Sequence, residues 1–169
     1  MTRLVRAPGE KPLFWVASTR ADLQQFPDAV QDGLGVALSV AQFGGKQPER
    51  IMRHAMAKRK NKIPIFKSSG NVFANLGLAN PEEKQTKVRL AVAINHILAE
   101  RHLSQARAAR ELGINQPKIS ALSRYRLEGF SVERLMHFLG RLGCEIEIVI
   151  RLRANSSSRK PARILVSAA

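Results

Sequence analysis

Between Gln105 and Leu122 the chain reads QARAARELGINQPKISAL, and its polar members are of the kinds that read nucleic acid. A glutamine amide matches the donor–acceptor pair on the edge of adenine, a lysine suits guanine, and serine takes either. On that chemistry Gln116 and Lys118 are candidates for base contact, with Ser120 and Ala121 able to meet a base edge or a thymine methyl. Gln105 would hold a phosphate, and Arg124 and Arg126 would bind the backbone, a contact that weakens with salt. No acidic residue lies between Gln116 and Arg126, as proximity to phosphate demands. Other chemistry is sparse. His54, His96, His102 and His137 show no paired ligand spacing, so no metal site is expected, and neither a cofactor nor a set of catalytic residues can be assigned. Cys144 is the one cysteine, which rules out an intramolecular disulfide and a cysteine-rich zinc module; it reads as a small buried hydrophobe.

These residues can act together only if two short helices cross at a steep angle. Ala109 supplies the small contact residue, and Gly113 supplies a turn that needs positive φ. Leu112, Ile114, Ile119 and Leu122 are the apolar residues flanking that turn. Ser104 and Asn115 are placed to cap the two helices, and Pro117 falls in a first turn, where its missing N–H costs little. An α-hairpin inside an ordinary bundle would satisfy part of this pattern. The helix-turn-helix satisfies all of it and also accounts for the acid-free outer face.

The surrounding sequence predicts a mainly α fold. A helix opens at Asn80-Pro81-Glu82-Glu83, with Asn80 as cap and Glu83 reaching back to it, and carries Leu90, Ile94, Ile97 and Leu98 on one face to about Arg101. Ser131 caps a last helix with Val132, Leu135, Leu139 and Leu142 as its stripe. Over residues 144–153 the period switches to two, the mark of a strand. Upstream, Pro12–Ala17 could be a short strand, and a helical stretch runs from Ala21 to Phe43, interrupted at Pro27 and Gly33. The expected organisation is a strand and helical hairpin over 1–46 and a basic linker over 47–70. A four- to five-helix DNA-binding domain with a C-terminal strand follows over 71–153, then a disordered tail over 154–169. The basic run 58–62 reads equally well as a solvated linker or as an arm along the minor groove, and Met56 just before it could serve as an internal start.

The formal charge of +15 over 169 residues is unevenly spread. Residues 1–55 hold 7 Lys/Arg against 5 Asp/Glu, and the remainder 21 against 8. The second part therefore wants a polyanion, nucleic acid or an anionic membrane surface. Membrane binding is disfavoured because the apolar stripes have a core to enter. The longest apolar stretch, Gly33–Ala41, is about half of the ~20 residues a spanning helix needs. The N-terminus lacks the apolar core of a signal peptide, so a cytoplasmic protein is expected.

Taken in order, KSSGNVFANLGL (67–78), NPEEK, LSQARAARELGINQPKISAL, GFSVERLMHFLGRLG and EIEIVIR resemble the HigA-like antitoxins of the XRE helix-turn-helix group. That resemblance, over residues ~56–153, implies a homodimeric repressor of its own operon that neutralises a RelE-like ribonuclease toxin, with the 145–152 strand as a dimer element. KPLFWVASTRADLQQFPDAVQDGLGVALSVAQFGGK (11–46) resembles the opening strand and helical hairpin of the phage-type HigB/RelE toxins. It breaks off before the part that bears that family's catalytic residues, so the resemblance implies a toxin remnant joined to an antitoxin, without ribonuclease activity. On this basis Phe14, Trp15, Val36 and Leu38 either pack on the antitoxin part or stay loosely ordered. Three functions follow from different classes: a DNA-binding autorepressor, a RelE-type endoribonuclease, and a toxin-neutralising module with little DNA affinity. The partners expected are operator DNA, a second copy of the chain and a HigB/RelE-type toxin.

Overall fold

The computed structural model describes residues 11–16, 18–45 and 65–148. In chain order the elements are β1 (Phe14–Val16), α1 (Thr19–Leu23), α2 (Asp28–Gln42), β2 (Ile65–Lys67), α3 (Val72–Leu76), α4 (Pro81–Glu100), α5 (Gln105–Leu112), α6 (Gln116–Ser123) and α7 (Val132–Arg141). The mainly helical reading of the sequence holds.

Helix α4 is the axis. Its Leu90, Ile94 and Leu98 are buried, as the stripe predicts, but Gln85, Thr86, Val88, Arg89 and Ala91 are buried as well. One face meets the helix-turn-helix and α7; the other meets α2 and α3. Phe73, Val88, Ile94, Leu112, Ile119, Leu122, Leu135 and Phe138 all belong to one continuous apolar cluster that Val40 of α2 also enters.

Residues 11–45 are docked on this second face. β1 pairs antiparallel with β2 in the register Phe14↔Lys67, Trp15↔Phe66, Val16↔Ile65. A two-stranded ribbon is marginal alone, and here Trp15, only 5% exposed, packs with Val72 and Leu76 to hold it. The strand period turns Phe14 and Val16 the other way, toward solvent. Of the four residues whose burial was in question, Trp15 is buried, Val36 and Leu38 are half-buried against the two apolar clusters, and Phe14 is exposed.

Several local expectations are corrected. Pro27 does separate α1 from α2 and stands at the N-cap of α2, but Gly33 lies inside α2 without breaking it. A glycine costs a helix about 1 kcal/mol, and α2 holds two, Gly33 and Gly35. Ile65–Lys67 falls in the stretch read as connector yet is a strand, because β-prone residues there complete the ladder of β1. The run Ser68-Ser69-Gly70-Asn71 is a scaffold for α3. The Ser69 hydroxyl donates to Asn75 Oδ1 at 2.8 Å, and Asn71 caps the helix by accepting from the Ala74 N–H at 3.1 Å.

The capping box at Asn80 does not form. Asn80 is left-handed (φ 50°), not in the β region that an N-cap side chain needs, and it makes no capping bond. Glu83 instead pairs with Lys87 at 2.6 Å, and Glu82 accepts from Asn71 Nδ2 at 3.1 Å. Pro81 does open the helix.

Over its described part, residues 144–148, the strand expected at this end joins no sheet. Residues 144–148 form no ladder, since the two strands described pair with each other and leave no partner at this end. Ile146 and Ile148 are exposed, Ile148 by 72%. Residues 149–152, the basic run 58–62, Met56 and the tail 154–169 lie outside the described residues.

The docking of residues 11–45 has a thermodynamic consequence. Trp15→Ala is expected to lower the stability of the whole chain by about 3–5 kcal/mol, the usual cost of emptying a large aromatic site. Guanidinium unfolding followed by helical circular dichroism checks it; an unshifted midpoint would show that this segment contributes nothing.

Candidate nucleic-acid interface

α5 and α6 are each eight residues long and separated by the turn Gly113–Asn115. The Ser104 hydroxyl accepts from the Arg107 N–H at 3.3 Å, and Asn115 Oδ1 accepts from the Lys118 N–H at 3.0 Å. Each cap satisfies a donor that the first helical turn leaves open. Gly113 is left-handed (φ 63°), as the turn requires. Above it lies only the flexible end of a neighbouring side chain. The Arg141 guanidinium lies over it, so that a Cβ there would come within 2.6 Å of Nη1, and Arg141 Nε donates to the Glu111 carbonyl at 2.7 Å. Thus α7 reaches across to close the open end of α5.

The inner faces are apolar. α5 buries Ala108, Ala109 and Leu112, and α6 buries Ile119 and Leu122. The far end of α6 is tied to the axis, since Asn95 Nδ2 of α4 donates to the Leu122 carbonyl at 3.1 Å. Beyond it Tyr125 turns back with positive φ and is buried. Burial pushes its phenol above the usual 10, partly offset by the neighbouring Asn95 side chain.

At about 100° per residue, Ile119 and Leu122 define the buried side of α6. Pro117, Ser120, Ala121 and Arg124 then fall on the opposite arc, and Gln116 and Lys118 fall on its two flanks. Accessibility agrees in outline. Gln116, Pro117 and Arg124 are exposed, Lys118 and Ser120 are half-buried, and Ala121 is half-buried and packs against the core. Gln105 is exposed at the start of α5, and Arg126 is exposed past the bend that follows α6, where its N–H bonds the Ala121 carbonyl at 2.9 Å. α6 therefore brings Ser120, Ala121 and Arg124 onto one side, whereas Gln105, Gln116, Lys118 and Arg126 lie at its margins.

Two features add to the pattern legible in the sequence. Pro117 suits the first turn of α6 and also sits within the outward arc. Arg107 and Arg110 of α5 are exposed and add positive charge beside the turn. Their exposure was foreseeable from the helical period, because Ala108, Ala109 and Leu112 take the inner face.

Among the described residues, no group of three or more His, Cys, Asp or Glu could hold a metal ion, and no helix is long and apolar enough to cross a membrane. Cys144 is half-buried at the edge of the core.

Residues 72–151 match a family model described as a helix-turn-helix domain. A solved structure described as an XRE family transcriptional regulator is 59% identical, over 52% of this chain and 97% of that one, with a TM-score of 0.47. No curated protein matches the chain.

The left-handed turn at Gly113 is testable. Gly113→Ala should destabilise the fold by the ~1–2 kcal/mol of left-handed strain, with the flexible end of Arg141 moving aside. Guanidinium unfolding with and without Arg141→Ala checks it. Equal losses are expected, and a loss that shrinks when Arg141 is truncated would show that the guanidinium holds its place.

Proposed function

The chain belongs to the XRE family of helix-turn-helix regulators, and from that premise we propose that it binds its own operator as a homodimer and represses an antitoxin-type operon. The observation that carries this reading is the outer side of α6, which is polar, free of acid and held by caps at its start and by Asn95 at its end. Such a helix enters the major groove with its N-terminal residues at the base edges. Gln116 and Lys118 read bases, Ser120 and Ala121 approach a base edge or a thymine methyl, and Gln105, Arg124 and Arg126 hold the phosphates on either side.

The dimer is supported by exposed Ile146 and Ile148 in a segment that has no strand partner among the described residues. A symmetric copy would pair it and bury both side chains. Two recognition helices would then meet half-sites about one helical turn, roughly 34 Å, apart. Neutralisation of a HigB/RelE-type toxin is the other half of the reading and rests on the resemblance of residues 56–153 to HigA-like antitoxins. A module that binds a toxin without appreciable DNA affinity is the competing reading, and the acid-free face of α6 argues against it.

A gel shift with the DNA immediately upstream of the gene, at 50 and 200 mM salt (about the span over which phosphate contacts are felt), tests the proposal. Lys118→Ala and Gln116→Ala should each weaken binding roughly 10- to 100-fold and relax the preference at one base position. Arg124→Ala should weaken all sequences alike and reduce the salt slope by about one. Unchanged affinity and preference in the Lys118 and Gln116 variants would refute this docking. No shift by the wild type would leave the toxin-binding module as the better account.

A further inference from the structure

Residues 11–45 meet the rest of the chain as one protein meets another. The centre is apolar, with Trp15 against Val72 and Leu76 and with Phe73 packed under α2. At that crossing Gly35 is obligatory in size, because a Cβ there would lie 2.8 Å from the Phe73 ring. The surrounding contacts are polar. Arg20 Nε donates to the Asn75 carbonyl at 2.6 Å, and Gln24 Nε2 donates to the Leu76 carbonyl at 3.3 Å. These carbonyls belong to the open end of α3, so the incoming segment satisfies acceptors that α3 cannot satisfy itself. Lys84 pairs with Asp32, and the Arg89 guanidinium lies 4.6 Å from the centre of the Phe43 ring. The ribbon adds strand-to-strand hydrogen bonds, the familiar geometry of strand addition.

The connectivity also points to separability. Antiparallel neighbours can be joined by two residues, yet β1 and β2 are separated in the chain by α1, α2 and residues 46–64.

We propose that α3, the adjoining face of α4 and the edge of β2 form a protein-docking surface for a strand–helix–helix element, which residues 11–45 fill in cis. The partner it fits presents an aromatic residue on a short strand and a small residue where its long helix crosses Phe73. With its own segment in place, the intact chain is closed to any free protein offering the same element. This inference does not depend on DNA binding, so either can fail without the other.

The test introduces a protease site between residues 50 and 60 of the full chain and compares cut and uncut protein. After cutting, the two pieces should still co-elute on size exclusion at micromolar concentration. A fluorescent peptide of residues 11–45 should then exchange into the cut protein. The uncut chain should take up the peptide on the order of 100-fold less well, because a tethered segment competes at an effective concentration near millimolar. Gly35→Leu should release the N-terminal piece on cutting while leaving the helical spectrum of the remainder intact. Separation of the wild-type pieces at once, or equal peptide uptake by cut and uncut protein, would overturn the proposal. So would retention of the Gly35→Leu piece. Loss of helical signal from the remainder on release would likewise refute it, since the surface would then be core and not an interface.

Discussion

Burial of α4 on two sides is the constraint from which the arrangement follows. Leu90, Ile94 and Leu98 must be covered by the helix-turn-helix and α7, whereas Gln85, Val88 and Arg89 must be covered by α2 and α3. Because the helix is rigid, whatever seats on one side is registered against whatever seats on the other. Asn95 makes that explicit, since it projects from α4 to hold the last turn of α6 by the Leu122 carbonyl. The reading helix is thus positioned from behind, by the axis and by Arg141 reaching from α7 to the turn. Its outer side is left with no structural duty, and a surface freed in that way can be given over to recognition.

The reading surface itself is built by subtraction. Ile119 and Leu122 claim the inner side of an eight-residue helix, and Asn115 claims the first open amide. What remains is an arc of Pro, Ser, Ala and Arg, flanked by Gln116 and Lys118. Arg107 and Arg110 of α5 add exposed positive charge. On the proposed reading such charge draws the protein to any duplex, and the few residues near the start of α6 discriminate among sequences.

Most of the helix-turn-helix was legible because each requirement there is local. Ser104, Asn115 and Ser131 act within three residues, and Gly113 acts through its own φ. The Asn80 box failed because its side chain depends on an extended backbone that Asn80 does not adopt, and residue type alone does not encode that conformation. The second face of α4 was missed for a similar reason. Arg89 looks like a solvent residue until Phe43, more than forty residues earlier in the chain, meets its guanidinium, and Gln85 does until it donates to the Gly70 carbonyl. The pairing of Ile65–Lys67 with Phe14–Val16 is non-local in the same sense, and a three-residue strand carries too short a period to declare itself. Gly113 shows both kinds at once: its turn was readable, and the Arg141 guanidinium that lies over it was not.

The central claim is that the outer side of α6 is where this protein meets DNA. Amide NMR of the full chain, titrated with a duplex from its own upstream region, tests it most directly. The account predicts that the largest shifts fall on Gln105 and on residues 116–126, while the amides of α2 and α3 stay where they were. Shifts concentrated on α2, α3 or the 144–148 segment, with α6 unmoved, would contradict it.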